Sequence, residues 1–118
     1  MKKHTPIYIW SPLILENYYV SYGVPKKLFK DAVKRILNYD LDYRELHFGY
    51  CMVFERNDDN RIIWIWTKTK NVSALAHEAV HAAYYSLEDK MKWGKDTHEM
   101  YCYLVQMIVQ NTLKPQKK

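Results

Sequence analysis

A chain of 118 residues has room for one hydrophobic core and little beyond it. With 48% apolar and 26% charged residues it is neither a disordered tail nor a collagen-like repeat. Eighteen lysines and arginines against 13 acids give a formal charge of +5, which favours phosphates and other acidic partners without selecting among them.

Pro6 to Trp10 reads as a short strand closed by Ser11-Pro12, followed by a segment with no clear pattern. From Pro25, Leu28, Phe29, Ala32, Ile36 and Leu37 recur at helical spacing, and Lys26, Lys27, Lys30, Lys34 and Arg35 occupy the complementary face. Gly49 to Arg56 and Arg61 to Thr67 are runs of strand formers flanking Asn57-Asp58-Asp59-Asn60, which predicts a hairpin. In the second run Ile62, Trp64 and Trp66 alternate with Ile63 and Ile65, so both faces need cover, and the tryptophans read as core.

Asn71 to about Lys90 predicts a helix with Val72, Leu75, Ala76, Ala79, Val80, Ala83 and Leu87 as its buried stripe. After Trp93-Gly94, the stretch from Asp96 to about Thr112 predicts another, with Met100, Leu104, Met107 and Ile108 inward. Strand, irregular segment, helix, hairpin and two helices make a single α+β domain over residues 1–118.

Cys51 and Cys102 are far apart and in no C-x-x-C spacing, so both are expected to be buried, inert thiols in a reducing cytoplasm. The basic start Met1-Lys2-Lys3 lacks the continuous apolar stretch and small-residue cleavage site of a signal peptide. No run approaches the 18 or so apolar residues of a membrane helix, so a soluble chain with no membrane partner is expected.

The chemistry lies in His77-Glu78-Ala79-Val80-His81, the H-E-x-x-H pattern. Residues four apart share a helical face, so the two imidazoles can reach one ion. Zinc suits them, and a third protein ligand leaves a tetrahedral position for water. Glu78, beside that water, is then the catalytic base for attack on a carbonyl. The third ligand is expected near the start of the last helix, where His98, Glu99 and Cys102 are the candidates. Glu99 is chosen because Tyr103, four residues on, adds a hydroxyl on the same face that can donate to an oxyanion or orient His77. His98 remains the rival, and Asp96 with Glu99 also forms an ordinary capping box.

These residues resemble the gluzincin class of zinc peptidases, and within it the small phage-type metallopeptidases. The likeness rests on Gly49-Tyr50, Trp64-Ile65-Trp66, Leu75-Ala76-His77-Glu78 with His81, and Glu99 with Tyr103. It implies a minimal zincin-like fold, a small antiparallel sheet against the two helices, with zinc at His77, His81 and Glu99 and with Glu78 as base. Larger thermolysin-like members carry an aspartate where Tyr103 stands.

The expected function is that of a zinc metallopeptidase hydrolysing peptide bonds, acting on a peptide or protein in the cytoplasm of a bacterial host. An extended substrate would pair with a sheet edge beside the metal helix. Two other readings stay open: a zinc-stabilised binding protein touching nucleic acid through its lysines, and an SprT-like protease of DNA-bound proteins, in which a third histidine holds the metal.

Overall fold

The computed structural model describes residues 3–12, 14–42, 49–55, 61–88, 90, 92 and 94–114, apart from the side chains of residues 95 and 96. The described elements are β1 (Ile7–Ser11), β2 (Glu16–Ser21), α1 (Lys26–Leu37), β3 (Gly49–Glu55), β4 (Arg61–Thr67), α2 (Val72–Leu87) and α3 (Lys95–Leu113). The α+β class is as expected, and the predicted hairpin is β3 with β4; its Asn57–Asn60 loop lies outside the described residues.

Two sheet features differ from expectation. The segment after β1, read as irregular, contains β2, and the sheet is mixed rather than wholly antiparallel. Its order is β1-β2-β4-β3, with β2 running parallel to β4 and the outer pairs antiparallel. Strand β2 escapes a pattern search because Glu16, Asn17 and Ser21 interrupt its apolar run. These polar residues are held by tertiary partners: Arg61 donates to the buried Glu16 carboxylate at 3.0 Å, and the Trp64 indole donates to Ser21 Oγ at 2.8 Å. The tight connection from β1 places Leu15 at φ 55°, a left-handed conformation with no glycine to announce it.

Alternation along β4 assigns its two apolar faces to different layers. Ile63 and Ile65 join Ile9, Tyr18, Val20 and Cys51 beneath Leu75, Ala79 and Ala82 of α2 and Ile108 of α3. Trp64 and Trp66, both fully buried, pack with Phe54 against Phe29, Ala32 and Val33 of α1. Phe29 stacks on Trp66 with ring centroids 5.0 Å apart. Tyr18 carries its hydroxyl into the first layer, where it meets Ser86 Oγ at 2.6 Å.

Helix α2 starts where the Asn71 side chain accepts from the backbone of Ser73 and Ala74. Its buried stripe is Leu75, Ala79, Ala82, Ala83, Ser86 and Leu87; Val72 and Val80, expected inside, are exposed. On the other flank of α2, Leu104 of α3 packs against Ala83 and Leu87, and the Tyr101 hydroxyl donates to the Val80 carbonyl. The far end of α2 is tied to the sheet: Arg61, already paired with Glu16, also donates to the Tyr85 carbonyl at 2.8 Å. No described helix is long and apolar enough to cross a membrane.

Candidate metal centre

With one flank of α2 against the sheet and the other against α3, its remaining face is left open, and the period of 3.6 puts His77 and His81 there. The two rings lie 4.9 Å apart, centroid to centroid, and are exposed. Glu78, one residue on from His77, is turned back toward the sheet and is only 8% exposed. One ligand atom from each of the three lies within 4.8 Å of the others, so His77, Glu78 and His81 form a group that could hold a metal ion.

The carboxylate fits because β3 offers it a glycine. A Cβ on Gly49 would lie 3.0 Å from Glu78 Oε2 and 3.1 Å from the Trp66 carbonyl oxygen, so the bare backbone makes room for Glu78 at the sheet edge. Burial pushes the Glu78 carboxyl above its ordinary range, while the flanking imidazoles pull in the opposite direction. A carboxyl so raised holds a proton more readily than one in water, which suits a group that must take and return it.

A cleft of about 260 Å³ opens over these residues, walled by Gly49, Tyr50 and Cys51 on one side and His77, His81 and Tyr85 on the other. A neighbouring cleft that shares Tyr50, Cys51 and Tyr85 reaches Glu55 and Glu88. Since β3 ends the strand order, its outer backbone edge borders the cleft unpaired by any described strand. The Cys51 thiol is buried, and burial together with the Glu78 charge raises its pKa far above the thiol range, so it stays protonated and inert, as expected.

Of the residues singled out in the sequence, His77, Glu78 and His81 are brought together, and Glu99 and Tyr103 are not. Leu104 and Ile108 turn one side of α3 inward, and Glu99, five residues before Leu104, falls on the opposite, exposed side. Glu99 is outside the metal-binding group found among the described residues. Tyr103 is 51% exposed on the same outer side. Cys102, expected to be buried, is exposed, and His98 is exposed as well. Glu99 and Tyr103 share a face of α3, and that face points away from α2.

The tyrosines that line the cleft are Tyr50 of β3 and, beside His81, Tyr85. The Tyr85 ring stacks on His81 at 6.3 Å with planes 20° apart, and burial raises the pKa of its phenol. The signal was present in the sequence as a third residue in the four-residue series His77, His81, Tyr85. For Gly49 the sequence carries only the family likeness, because nothing in a single sequence tells that a strand glycine faces a carboxylate.

Comparison with protein-family models, curated proteins and solved structures found no match to this chain.

Proposed function

We propose that this chain is a zinc-dependent peptidase of the H-E-x-x-H type, with His77 and His81 as metal ligands and Glu78 as the proton-transferring carboxylate. The observation that carries this reading is the convergence of two exposed imidazoles and one buried carboxylate beside an edge strand. The imidazoles fit zinc and supply two of the three protein ligands that a catalytic site of this kind uses, and the open face leaves access for solvent and substrate. The residues quoted for the gluzincin likeness support the same assignment, although Glu99 has no part in the cluster.

His77 and His81 would hold the zinc, which when bound would supply Lewis acidity toward a carbonyl oxygen and water. Glu78 takes the proton from the water that attacks the scissile carbonyl and delivers it to the departing nitrogen as the C–N bond breaks. The Tyr85 hydroxyl takes the role expected of Tyr103, donating to the oxygen that gains negative charge. An extended peptide adds to the edge of β3, whose backbone amides and carbonyls fix its register over the cleft. The phage-type likeness favours a bacterial cytoplasm as the setting.

The decisive variant is Glu78→Gln, assayed for bound metal and for cleavage of quenched fluorogenic peptides. It should retain about one ion per chain while turnover falls by about a hundredfold or more. Undiminished turnover removes Glu78 from its role. Bound metal with no turnover in the parent protein favours the zinc-stabilised binding protein instead.

A further inference from the structure

The cleft over Glu78 adjoins a second one of about 430 Å³, and Tyr50, Cys51 and Tyr85 line both. The second cleft carries Glu55, the last residue of β3, and Glu88, the C-cap of α2. Both side chains are exposed, and neither has an ion-pair partner among the described residues. Arg61, the one cation among the described residues lining this cleft, is engaged elsewhere: it donates to Glu16 at 3.0 Å and to the Tyr85 carbonyl at 2.8 Å. Lys90, beyond the end of α2, is likewise held by Glu16, at 3.2 Å. Two carboxylates beside one engaged guanidinium make the cleft locally acidic on a chain whose formal charge is +5.

The fold sets the order of these groups. Gly49, against Glu78, begins β3, and Glu55 ends it opposite Arg61. Because Arg61 reaches the Tyr85 carbonyl, β3 and α2 both lead from the imidazoles toward the carboxylates. From His81 to Glu88 the helix advances about 10 Å, and from Gly49 to Glu55 the strand advances about 20 Å. A peptide extended along the β3 edge rises about 3.3 Å per residue, so it meets the two carboxylates about three to six positions from the bond held over Glu78. At that near end Glu78, only 8% exposed, lines the first cleft without a hydrogen-bond partner among the described residues, so its carboxylate is open to a polar group of a ligand.

We propose that Glu55 and Glu88 form a subsite for a lysine or arginine side chain of the substrate, about three to six positions from the scissile bond. Where that bond lies rests on the peptidase reading; the substrate class added to it is peptides with a basic residue at this distance. Ammonium and guanidinium groups bring the charged donors that carboxylates accept.

The test is fluorescence anisotropy of two labelled peptides on the zinc-loaded full chain carrying Glu78→Gln, so that binding is read without turnover. One peptide carries two arginines, the other two glutamines, on each side of a central apolar pair at the stated distance. The arginine peptide should bind about three- to twentyfold more tightly, with the preference shrinking between about 50 and 200 mM salt. Adding Glu55→Gln and Glu88→Gln should make the two peptides bind alike. Adding instead Asp31→Asn and Asp40→Asn, which removes two exposed acids beside α1, should keep the preference. Equal affinity for the two peptides, absence of saturable binding, a preference that survives loss of Glu55 and Glu88, or one that vanishes in the Asp31 and Asp40 control would overturn the proposal. Cleavage of the same peptides by the parent chain separates the subsite from the peptidase reading. Turnover without arginine preference overturns the subsite and leaves the peptidase standing. Arginine preference in binding with no turnover of any peptide overturns the peptidase and leaves Glu55 and Glu88 as a site for basic peptides.

Discussion

Gly49→Ala probes whether Glu78 is held in place by the shape of the sheet edge. The new methyl carbon would lie 3.0 Å from Glu78 Oε2 and 3.1 Å from the Trp66 carbonyl oxygen, against an ordinary carbon–oxygen contact of about 3.3–3.6 Å. The Trp66 oxygen belongs to the β4 backbone, packed between two layers, so the Glu78 side chain must give by a few tenths of an ångström. Overpacking of this kind costs about 1 kcal/mol or slightly more, and removing a glycine from the unfolded chain offsets about 0.4–1 kcal/mol. The midpoint of thermal unfolding should therefore move by less than about 4 °C. Chemistry is more sensitive: a 1 Å misplacement costs about a hundredfold, so a few tenths should slow peptide cleavage about three- to tenfold. Neither imidazole is among the three nearest neighbours of the added methyl, so metal content should be unchanged. Fluorogenic peptide turnover, metal analysis and calorimetry on one preparation separate these effects. Parental turnover in a folded, metal-replete Gly49→Ala protein would refute the close fit of Glu78 to the sheet.

Three further outcomes follow from other parts of the molecule. Glu99→Gln should bind zinc as the parent does, whereas His81→Ala should lose it in equilibrium dialysis; metal loss in Glu99→Gln would restore the carboxylate as third ligand. Ser86→Ala strands the fully buried Tyr18 hydroxyl and should lower unfolding stability in urea by about 1–3 kcal/mol, while an unchanged midpoint would show that the hydroxyl has another partner. His4, whose Nε2 meets Ser21 Oγ at 2.6 Å, has its pKa lowered from 6.5 by burial and by Arg35, so the unfolded chain binds the proton more readily. Stability conferred by the neutral ring is present above pH 6.5 and is lost as pH falls below it. His4→Asn should flatten the melting temperature against pH in that range; an equally steep profile would place the effect elsewhere.

What the sequence disclosed follows the reach of local rules. Both faces of β4 were legible because Ile and Trp alternate without interruption, and the layers that cover them are the two that were required. The His77–His81 face was legible because four residues make about one helical turn. Strand β2 was hidden because its end residues are satisfied by Arg61 and Trp64, more than 40 positions away. Glu99 lies outside the cluster for a related reason. Helical periodicity sets which residues share a face, but only the packing of Leu104 and Ile108 decides where that face points. Tyr85 lies one turn beyond His81 on α2, within reach of the same four-residue spacing that pairs the imidazoles.

The parallel neighbours β2 and β4 have a helix and another strand between them in the chain, with Asn17 opposite Ile62 and Ser21 opposite Trp66. A ribosome delivers the amino-terminal hairpin long before its permanent neighbour exists. Until residue 67 emerges, Tyr18 and Val20 are flanked by β1 alone, and the nascent polypeptide must wait with their other side uncovered. Refolding from denaturant should accordingly be limited by closure of this long loop rather than by the β3–β4 turn, which is local and fast.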